Sequence, residues 1–305
     1  MGISMLMILA FHLSSGYEIQ PFKTLFSRGF YGVDIFLFFS ALGLCYSYNN
    51  NTLTRFYLNR IRRVLPLFLL LALFRIIWHI GKGETVTHWD VVATMTGISY
   101  FKFFGGIWVD WYLSALLFLY LLFPLIYKYM NITVWGGEIV VVILSSVFCL
   151  FVPHYWEHAC LIGRLPIFCL GILYYFVTIK NTVTMNNRIF LALILYGICL
   201  LSIDIVFPNG KTRFLAPSFF APILIVLLSR LYLWTKEYIP QFVIFVNFIG
   251  KHSLEIYVAN CFSIYICQEK GMNLIGYTGM LYELLIMEFI ACILYYVNRF
   301  VTNKI

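Results

Sequence analysis

A histidine inside an apolar run is the first residue of this chain whose type and position could do chemistry. His12 is in the run 2–13, whose other side chains are nearly all apolar. An ionisable group at membrane depth is costly, which makes it a candidate functional residue by default. In a continuous helix it would lie about 17 Å from the start, near mid-membrane or somewhat beyond. A neutral imidazole there predicts a general base that deprotonates an attacking hydroxyl. The alternative is a packing histidine bonded to a neighbouring helix.

A carboxylate follows at the start of the second apolar run, 31–48. If Asp34 enters the membrane from the side that His12 approaches, it could fix the imidazole tautomer and stabilise the protonated ring. Equally, Asp34 could cap the second helix at the membrane interface. The sequence leaves both interpretations open.

The densest charge in the chain is an arginine cluster, Arg60, Arg62 and Arg63, which follows Arg55. One interpretation is topological, because cytoplasmic loops carry an excess of Lys and Arg that pairs with lipid phosphate. The other is a phosphate clamp, since guanidinium groups pair bidentately with phosphate and a helix N-terminus adds its own attraction for anions. Coenzyme A, with a pyrophosphate and a 3'-phosphate, would suit such a cytoplasmic site.

Further polar residues occur within apolar runs. Lys251 and Glu255 are four residues apart, so an ion pair on one helix face would explain them without chemistry. Arg164 either extends to the lipid headgroups or faces a polar cavity. The remaining members of this group are Arg75, His252 and Asn260.

The elements that must position these residues are membrane helices. The 305 residues are 62% hydrophobic and only 11% charged, about half the charged fraction of an ordinary soluble domain. A span takes about 20 apolar residues, so about ten spans fit, and we expect an all-α integral membrane protein with about ten transmembrane helices in one bundle. The expected spans are near 2–14, 31–48, 62–80, 107–127, 132–152, 159–179, 188–206, 214–234, 243–267 and 279–300.

Charge and cysteine usage narrow the possible functions. The formal net charge of +8 comes from basic residues scattered between apolar runs, a pattern that orients a membrane protein rather than binding nucleic acid. Most of these basic residues fall in the loops expected to be cytoplasmic, so both termini are predicted on that side. The cysteines lie mostly in apolar runs without metal-ligand spacing, so no metal site is predicted. The segment 81–106 is expected to be interfacial or re-entrant.

Six motifs in order resemble those of the acyltransferase-3 family of bacterial membrane acyltransferases, and the likeness spans nearly the whole chain. They are GISMLMILAFH at 2–12, GVDIFLFFSA at 32–41, FYLNRIRRVLP at 56–66, WYLSALLFLYLLFP at 111–124, RLPIF at 164–168 with Gly171, and GKHSLEIY at 250–257. Each motif alone is weak, whereas their shared order is specific.

The resemblance implies a single transmembrane acyltransferase domain over 1–305, in a bacterial-type plasma membrane. It implies an acyl-CoA co-substrate, with acetyl-CoA favoured, and no bound cofactor. The partners it implies are the lipid bilayer and a carbohydrate acceptor, either a surface glycan or a lipid-linked sugar. His12 would be the family's first-helix histidine and the arginine cluster its cytoplasmic arginine motif. Residues of the acceptor site or cavity would be Trp111, Arg164, Glu255 and Asn260.

The chain departs from the family pattern at three places. Met1 stands where many members have arginine, Leu116 and Leu117 stand where many have glutamate, and Asn260 stands where a histidine often ends the last motif. We therefore expect the fourth long helix to be apolar and to supply no acid or base. We also expect the chain to begin too late, because 2–13 supplies 12 residues where a span takes about 20. A genuinely short helix in a thinned bilayer is the alternative.

The leading hypothesis is a membrane O-acyltransferase with His12 as general base, Asp34 as its orienter and Arg60, Arg62 and Arg63 as ligands of the donor phosphates. A transporter or flippase for a lipid-linked sugar or small metabolite is the alternative from another class. A family member that binds ligand without catalysis is a third possibility.

Overall fold

The computed structural model describes residues 1–13, 22–101, 104–151, 160–206, 215–269 and 277–304, and every regular element among them is helical. The helices of the first part are α1 (Gly2–His12), α2 (Phe22–Ser27), α3 (Gly32–Asn49), α4 (Leu53–Gly81), α5 (His88–Met95), α6 (Trp111–Thr133) and α7 (Trp135–Phe151). The remaining helices are α8 (Leu165–Tyr174), α9 (Asn187–Val206), α10 (Ala216–Tyr238), α11 (Pro240–Lys251), α12 (Ser253–Glu269) and α13 (Tyr277–Lys304). Short 3₁₀-helices at Gly29–Tyr31 and Ile98–Tyr100 and a π-helix at Tyr175–Ile179 complete them.

The chain divides into two compact units. The first comprises Met1–Phe30, Thr54–Leu119 and Phe245–Ile305, and in it α12 packs against α13 and α1. The second comprises Tyr31–Leu53 and Tyr120–Ile244, and in it α8 packs against α3 and α7 while α9 packs against α10.

Helix α8 is the core element of the second unit. Pro166 near its start lacks an N–H that the first turn would leave unpaired in any case, so it suits that position. Its apolar side chains are almost all buried. A Cβ atom at Gly171 would lie 2.6 Å from the carbonyl oxygen of Phe38 and 2.9 Å from the Cβ of Ala41. The small residues therefore let α8 and α3 approach closely.

Each of the ten predicted spans overlaps a helix, but the number ten is not confirmed as a count of membrane crossings. By length and composition, five helical segments of the described residues can cross a membrane, or six if a bent pair counts as one. The five are Leu25–Asn49, Leu53–Gly81, Trp111–Thr133, Cys160–Ile179 and Ser218–Tyr238. Shorter apolar helices lie at Gly2–His12, Trp135–Cys149 and Asn187–Ile203. The predicted boundaries at 14, 152, 159 and 214 lie outside the described residues.

Two predicted segments need correction. The helix of the third predicted span, α4, begins at Leu53 rather than near 62. The arginine cluster therefore lies within α4 and not at its N-terminus. The ninth predicted span is broken at His252, where α11 and α12 meet at 72°. Lys251 therefore ends one helix while Glu255 is in the first turn of the next, and they are not one turn apart on a single helix.

The segment 81–106 contains no long helix among its described residues, 81–101 and 104–106. Its α5 starts at a capping box in which the Thr87 hydroxyl accepts from the Asp90 backbone N–H and the Asp90 carboxylate accepts from the Thr87 backbone N–H. The hydrogen bonds from the Thr87 hydroxyl and backbone N–H hold the pKa of Asp90 below its ordinary value. The structure thus supports a short, capped helix in this connection.

Candidate functional site

His12 is the last residue of α1, and its ring is hydrogen-bonded through Nδ1 to the side-chain oxygen Oδ1 of Asn260 on α12. An amide oxygen only accepts, so Nδ1 carries the proton and donates it. The lone pair of the neutral ring is then on Nε2, the nitrogen that the hydrogen bond leaves available to take a proton. The pair therefore presents an imidazole in the tautomer that a general base needs.

Asn260 is held in place by the helix that carries it. The residue is 1% exposed, and its backbone carbonyl accepts a 2.8 Å hydrogen bond from the Ser263 hydroxyl. Unlike a carboxylate, an amide brings no negative charge to the ring, so Asn260 fixes the tautomer without an ionic partner for the imidazolium. The sequence predicted Asn260 only as a cavity residue, and the structure identifies it as the partner of His12.

A buried carboxylate fastens α12 to the start of α6. Asp110 is 7% exposed and accepts from the Leu113 backbone N–H at 2.8 Å and from the Tyr257 hydroxyl at 3.1 and 3.2 Å. The Cys261 thiol lies 3.8 Å from the same carboxylate. Tyr257 and Cys261 are one turn apart and flank Asn260 on α12. Asp110 therefore sets the position of the turn that holds the histidine partner.

Asp110 was not predicted from the sequence, although a signal was present. It is a lone carboxylate inside the apolar run expected to span 107–127, and the rule that singled out His12 applies to it as well. Leu116 is buried and Leu117 half-buried, so α6 itself is apolar as expected. The acid lies one residue before that helix.

Arg75 extends this network along α12. Its Nε donates to the carbonyl oxygen of Trp108 at 3.2 Å, and its guanidinium carbon lies 4.1 Å from the centre of the Tyr265 ring. The Tyr265 hydroxyl in turn donates to the Val109 carbonyl oxygen. A cation over an aromatic face is favoured electrostatically, so this arginine is accounted for by packing and hydrogen bonding.

Asp34 and Arg164 form a buried ion pair in the second unit. Arg164 Nε lies 3.4 Å from Asp34 Oδ1, and the two side chains are 2% and 0% exposed. The Ser218 hydroxyl, which donates to the Gly163 carbonyl oxygen at 2.9 Å, lies 3.4 Å from the same carboxylate oxygen. The expectation that Arg164 could reach the headgroups is therefore wrong. So is the expectation of a helix cap, because α3 has no side-chain cap. The pairing of Asp34 with His12 stays a prediction.

The arginine cluster lies on an exposed part of α4 in the first unit. Arg62 and Arg63 are exposed and form no ion pair with any residue that the structure describes. Arg60 is half-buried, with its guanidinium carbon 5.9 Å from the centre of the Phe56 ring. Because these residues lie two to three turns into the helix, the attraction of a helix N-terminus for anions does not act on them. The guanidinium groups alone would have to bind phosphate.

Helix α4 also gives the spacing between the arginines and the histidine pair. The rings of Phe74 and Phe262 are 4.8 Å apart, and Phe262 follows Asn260 by two residues. At 1.5 Å per residue, Arg62 lies about 18 Å from Phe74 along the helix axis. The arginine cluster and the His12–Asn260 pair are therefore separated by on the order of 15 to 20 Å along the axis.

The other predicted cavity residues are placed as follows. Trp111 is half-buried at the start of α6, with its ring 5.8 Å from that of Tyr112. The Tyr112 ring lies 5.0 Å from that of Tyr257, so Trp111 belongs to the surroundings of the Asp110 network. Glu255 is half-buried in the first turn of α12. Arg164 belongs to the ion pair of the second unit instead.

Comparison with known proteins identifies a family. No curated protein and no solved structure matches the chain. The profile of a family described as an acyltransferase domain, Acyl_transf_3, matches residues 2–297, which is nearly the whole chain. The chain, with its apolar membrane helices, belongs to the acyltransferase-3 family of membrane acyltransferases, enzymes that transfer acyl groups other than amino-acyl groups.

Proposed function

We propose that this membrane acyltransferase moves an acetyl group from acetyl-CoA to a hydroxyl group of a surface or exported carbohydrate. The observation that carries the proposal is the hydrogen bond between His12 and buried Asn260, which leaves Nε2 as the proton acceptor. A base of this kind suits a hydroxyl acceptor, whose oxygen becomes a sufficient nucleophile only as it loses its proton.

In the proposed reaction, the acceptor hydroxyl oxygen attacks the thioester carbonyl while its proton passes to Nε2 of His12. The new ester C–O bond forms, the C–S bond breaks, and the proton moves on from the imidazolium to the departing thiolate. Asn260 keeps Nδ1 protonated throughout, so the ring returns to the same tautomer after each turnover.

The separation between base and arginines supports a CoA donor. If Arg62 and Arg63 bind phosphate, the reacting carbonyl must reach a base on the order of 15 to 20 Å away along the helix axis. A donor whose phosphates and thioester are joined by a long flexible arm satisfies this requirement, and acyl-CoA is such a donor. Binding both substrates in one site would lower the entropic barrier to attack.

A specific feature favours a second candidate, a transporter or flippase for a lipid-linked sugar. The break of 72° between α11 and α12 resembles the discontinuous helices at transporter binding sites. In this alternative the same polar interior would bind the sugar without chemistry.

Transfer of a labelled acetyl group distinguishes the acyltransferase from the transporter. The purified chain is reconstituted in liposomes with acetyl-CoA labelled in the acetyl group and a panel of glycans. We expect label in the glycan with the wild-type chain and with His88→Ala, which removes an exposed histidine of α5. With His12→Ala, labelling should be slower by about 10²-fold or more. Movement of glycan across the liposome membrane without acetylation would favour the transporter. Turnover by His12→Ala at the wild-type rate would exclude the general-base role.

A further inference from the structure

The second unit contains an apolar cavity that the proposed reaction does not use. Its volume is about 510 Å³, within the range of small-molecule sites. Its walls are α3, α8 with the following π-helix, and α10, and the lining also includes Trp135, Met185 and Phe190. The lining is aliphatic and aromatic apart from Ser229 and Arg230 on α10.

Neither water nor empty space suits this cavity. Water in a cavity needs two to four polar partners, and here the Ser229 hydroxyl is already bonded to the Ile225 carbonyl oxygen at 2.6 Å. An empty cavity would forfeit the dispersion contacts of its lining. In a membrane-spanning chain, the apolar material at hand is the hydrocarbon of the bilayer.

The positive charge of Arg230 at the cavity indicates that the ligand carries an anionic group besides its hydrocarbon part. Arg230 is exposed and forms no ion pair or hydrogen bond with any residue that the structure describes. A guanidinium offers a planar fork of donors that matches phosphate bidentately. A ligand with a hydrocarbon chain and an anionic phosphate therefore complements both parts of the site.

One wall of the cavity has an uncommon backbone. Tyr175–Ile179 is π-helical directly after α8, and Val177 of this turn lines the cavity beside Tyr174. Single π-turns within helices are rare and occur frequently at functional sites. The π-helical backbone thus favours a ligand site here independently of the charge on Arg230.

We propose that the cavity binds one acyl chain of an anionic phospholipid, with the lipid phosphate paired to Arg230. An anionic lipid fits better than a zwitterionic one, because the arginine has no carboxylate partner among the described residues and a zwitterionic headgroup cancels its own charge. Neither His12 nor Asn260 lines this cavity, and the proposed lipid binding does not depend on the proposed acceptor or donor.

The test measures lipid binding to the purified full chain by native mass spectrometry, with thermal denaturation in detergent as a second readout. Phosphatidylglycerol and phosphatidylcholine of equal chain length are the probes. We expect the wild-type chain to retain and be stabilised by phosphatidylglycerol in preference to phosphatidylcholine. Arg230→Gln should weaken phosphatidylglycerol binding about tenfold or more, the loss expected for a charge-assisted hydrogen bond.

Two matched controls isolate the site. Arg188→Gln removes another exposed arginine, which does not line the cavity, and should leave the preference unchanged. Ile225→Trp fills the cavity and should reduce binding of both lipids, whereas Leu227→Trp, two residues on and outside the lining, should not. If Ile225→Trp does not fold, Leu233→Trp at the same wall replaces it.

Several results would overturn the proposal. An equal response to both lipids, or an unchanged preference in Arg230→Gln, would show that Arg230 does not bind the headgroup. Stabilisation by glycerol 3-phosphate equal to that by phosphatidylglycerol would show that the site takes a free anion. Displacement of bound lipid by long-chain acyl-CoA at equal concentration would assign the cavity to the donor chain.

Discussion

A single amide decides what the first-helix histidine can do. Asn260 accepts from Nδ1 of His12, so the proton that the ring already holds is on the side away from Nε2. Residues that orient a catalytic ring act through its population of tautomers, and their removal lowers the rate without removing the base. We therefore expect replacement of Asn260 to lower the rate less than replacement of His12.

For this pair we predict that Asn260→Ala lowers kcat by about tenfold or more and leaves the KM for the donor unchanged. His12→Ala should lose about 10² to 10⁴ in kcat, the usual contribution of a general base. Ser202→Ala, which removes an exposed hydroxyl bonded within α9 to the Ile198 carbonyl oxygen, is the control. Steady-state kinetics of acetyl transfer gives both constants, and a wild-type kcat in Asn260→Ala would refute the orienting role.

The buried pair of Asp34 and Arg164 allows a second prediction at this scale. Asp34→Leu leaves a buried guanidinium without its carboxylate, so the free energy of unfolding should fall by about 3 to 5 kcal/mol. Asp34→Leu combined with Arg164→Met removes both charges and should recover part of that loss. Thermal denaturation in detergent measures the difference.

Activity of the double variant tests the predicted role of Asp34 toward His12. If Asp34 only balances Arg164, the double variant is folded and active. If Asp34 also acts on the histidine, the double variant is folded and slow. A double variant no more stable than Asp34→Leu would mean that the ion pair is not the reason for burying these residues.

At the scale of helices, small residues and buried hydrogen bonds fix the packing. Gly171→Ala places a methyl group 2.6 Å from the Phe38 carbonyl oxygen, and overpacking of this kind costs about 1 to 3 kcal/mol. We expect a lower denaturation temperature for Gly171→Ala. In Gly43→Ala on α3, the new methyl group meets no atom within 4 Å beyond the adjacent backbone of its own helix, so this variant should be neutral or stabilising. Equal denaturation temperatures would show that α3 and α8 can separate without loss.

The contact between α12 and the start of α6 is testable by a double-mutant cycle. Asp110→Ala leaves the buried Tyr257 hydroxyl without its acceptor, which costs about 1 to 3 kcal/mol. Tyr257→Phe removes the donor, so the two effects should be non-additive by about 0.5 to 3 kcal/mol. Strict additivity in thermal denaturation would mean that the hydrogen bonds to Asp110 do not hold α12.

Over the whole molecule, the sequence predicted helices well and their interactions poorly. The ten expected segments all fall on helices because length and hydropathy suffice to identify them. The break at His252 was not predicted, because the mostly apolar stretches before Gly250 and after Glu255 resemble one span, in spite of the polar residues between them. The start of α4 at Leu53 was not predicted, because closely spaced arginines in a membrane protein are typical of a loop at the membrane surface.

In the candidate site, too, the unusual residues could be predicted from the sequence but their contacts could not. Residue type alone makes His12 and the arginine cluster candidates, because charged and titratable side chains are rare in an apolar chain. The bond from His12 to Asn260 joins residues 248 positions apart and depends on tertiary packing. Arg164 was recognised as unusual, but its pairing with Asp34 depends on how α3 and α8 meet. Types of residue are therefore predictable where partners are not.

The last prediction concerns how the molecule holds its donor. Arg62 and Arg63 are exposed and without ion pairs among the described residues, so replacing both by Gln should raise the KM for acetyl-CoA about tenfold or more. The kcat should change little, because these side chains lie on the order of 15 to 20 Å along the axis from the base. Raising the salt concentration should weaken donor binding in the wild-type chain more than in the variant, since exposed charge pairs are screened.

The matched control is a change of donor rather than of residue. Acetyl-pantetheine carries the thioester and its arm without the phosphates of CoA, so its KM should be the same for both chains. The competing interpretation, that the arginines only orient the chain in the membrane, predicts equal donor affinity and a changed sidedness. Accessibility of a C-terminal tag in sealed vesicles reports sidedness directly. An unchanged KM for acetyl-CoA together with an inverted tag would assign the cluster to topology, whereas a raised KM with the tag in place assigns it to the donor phosphates.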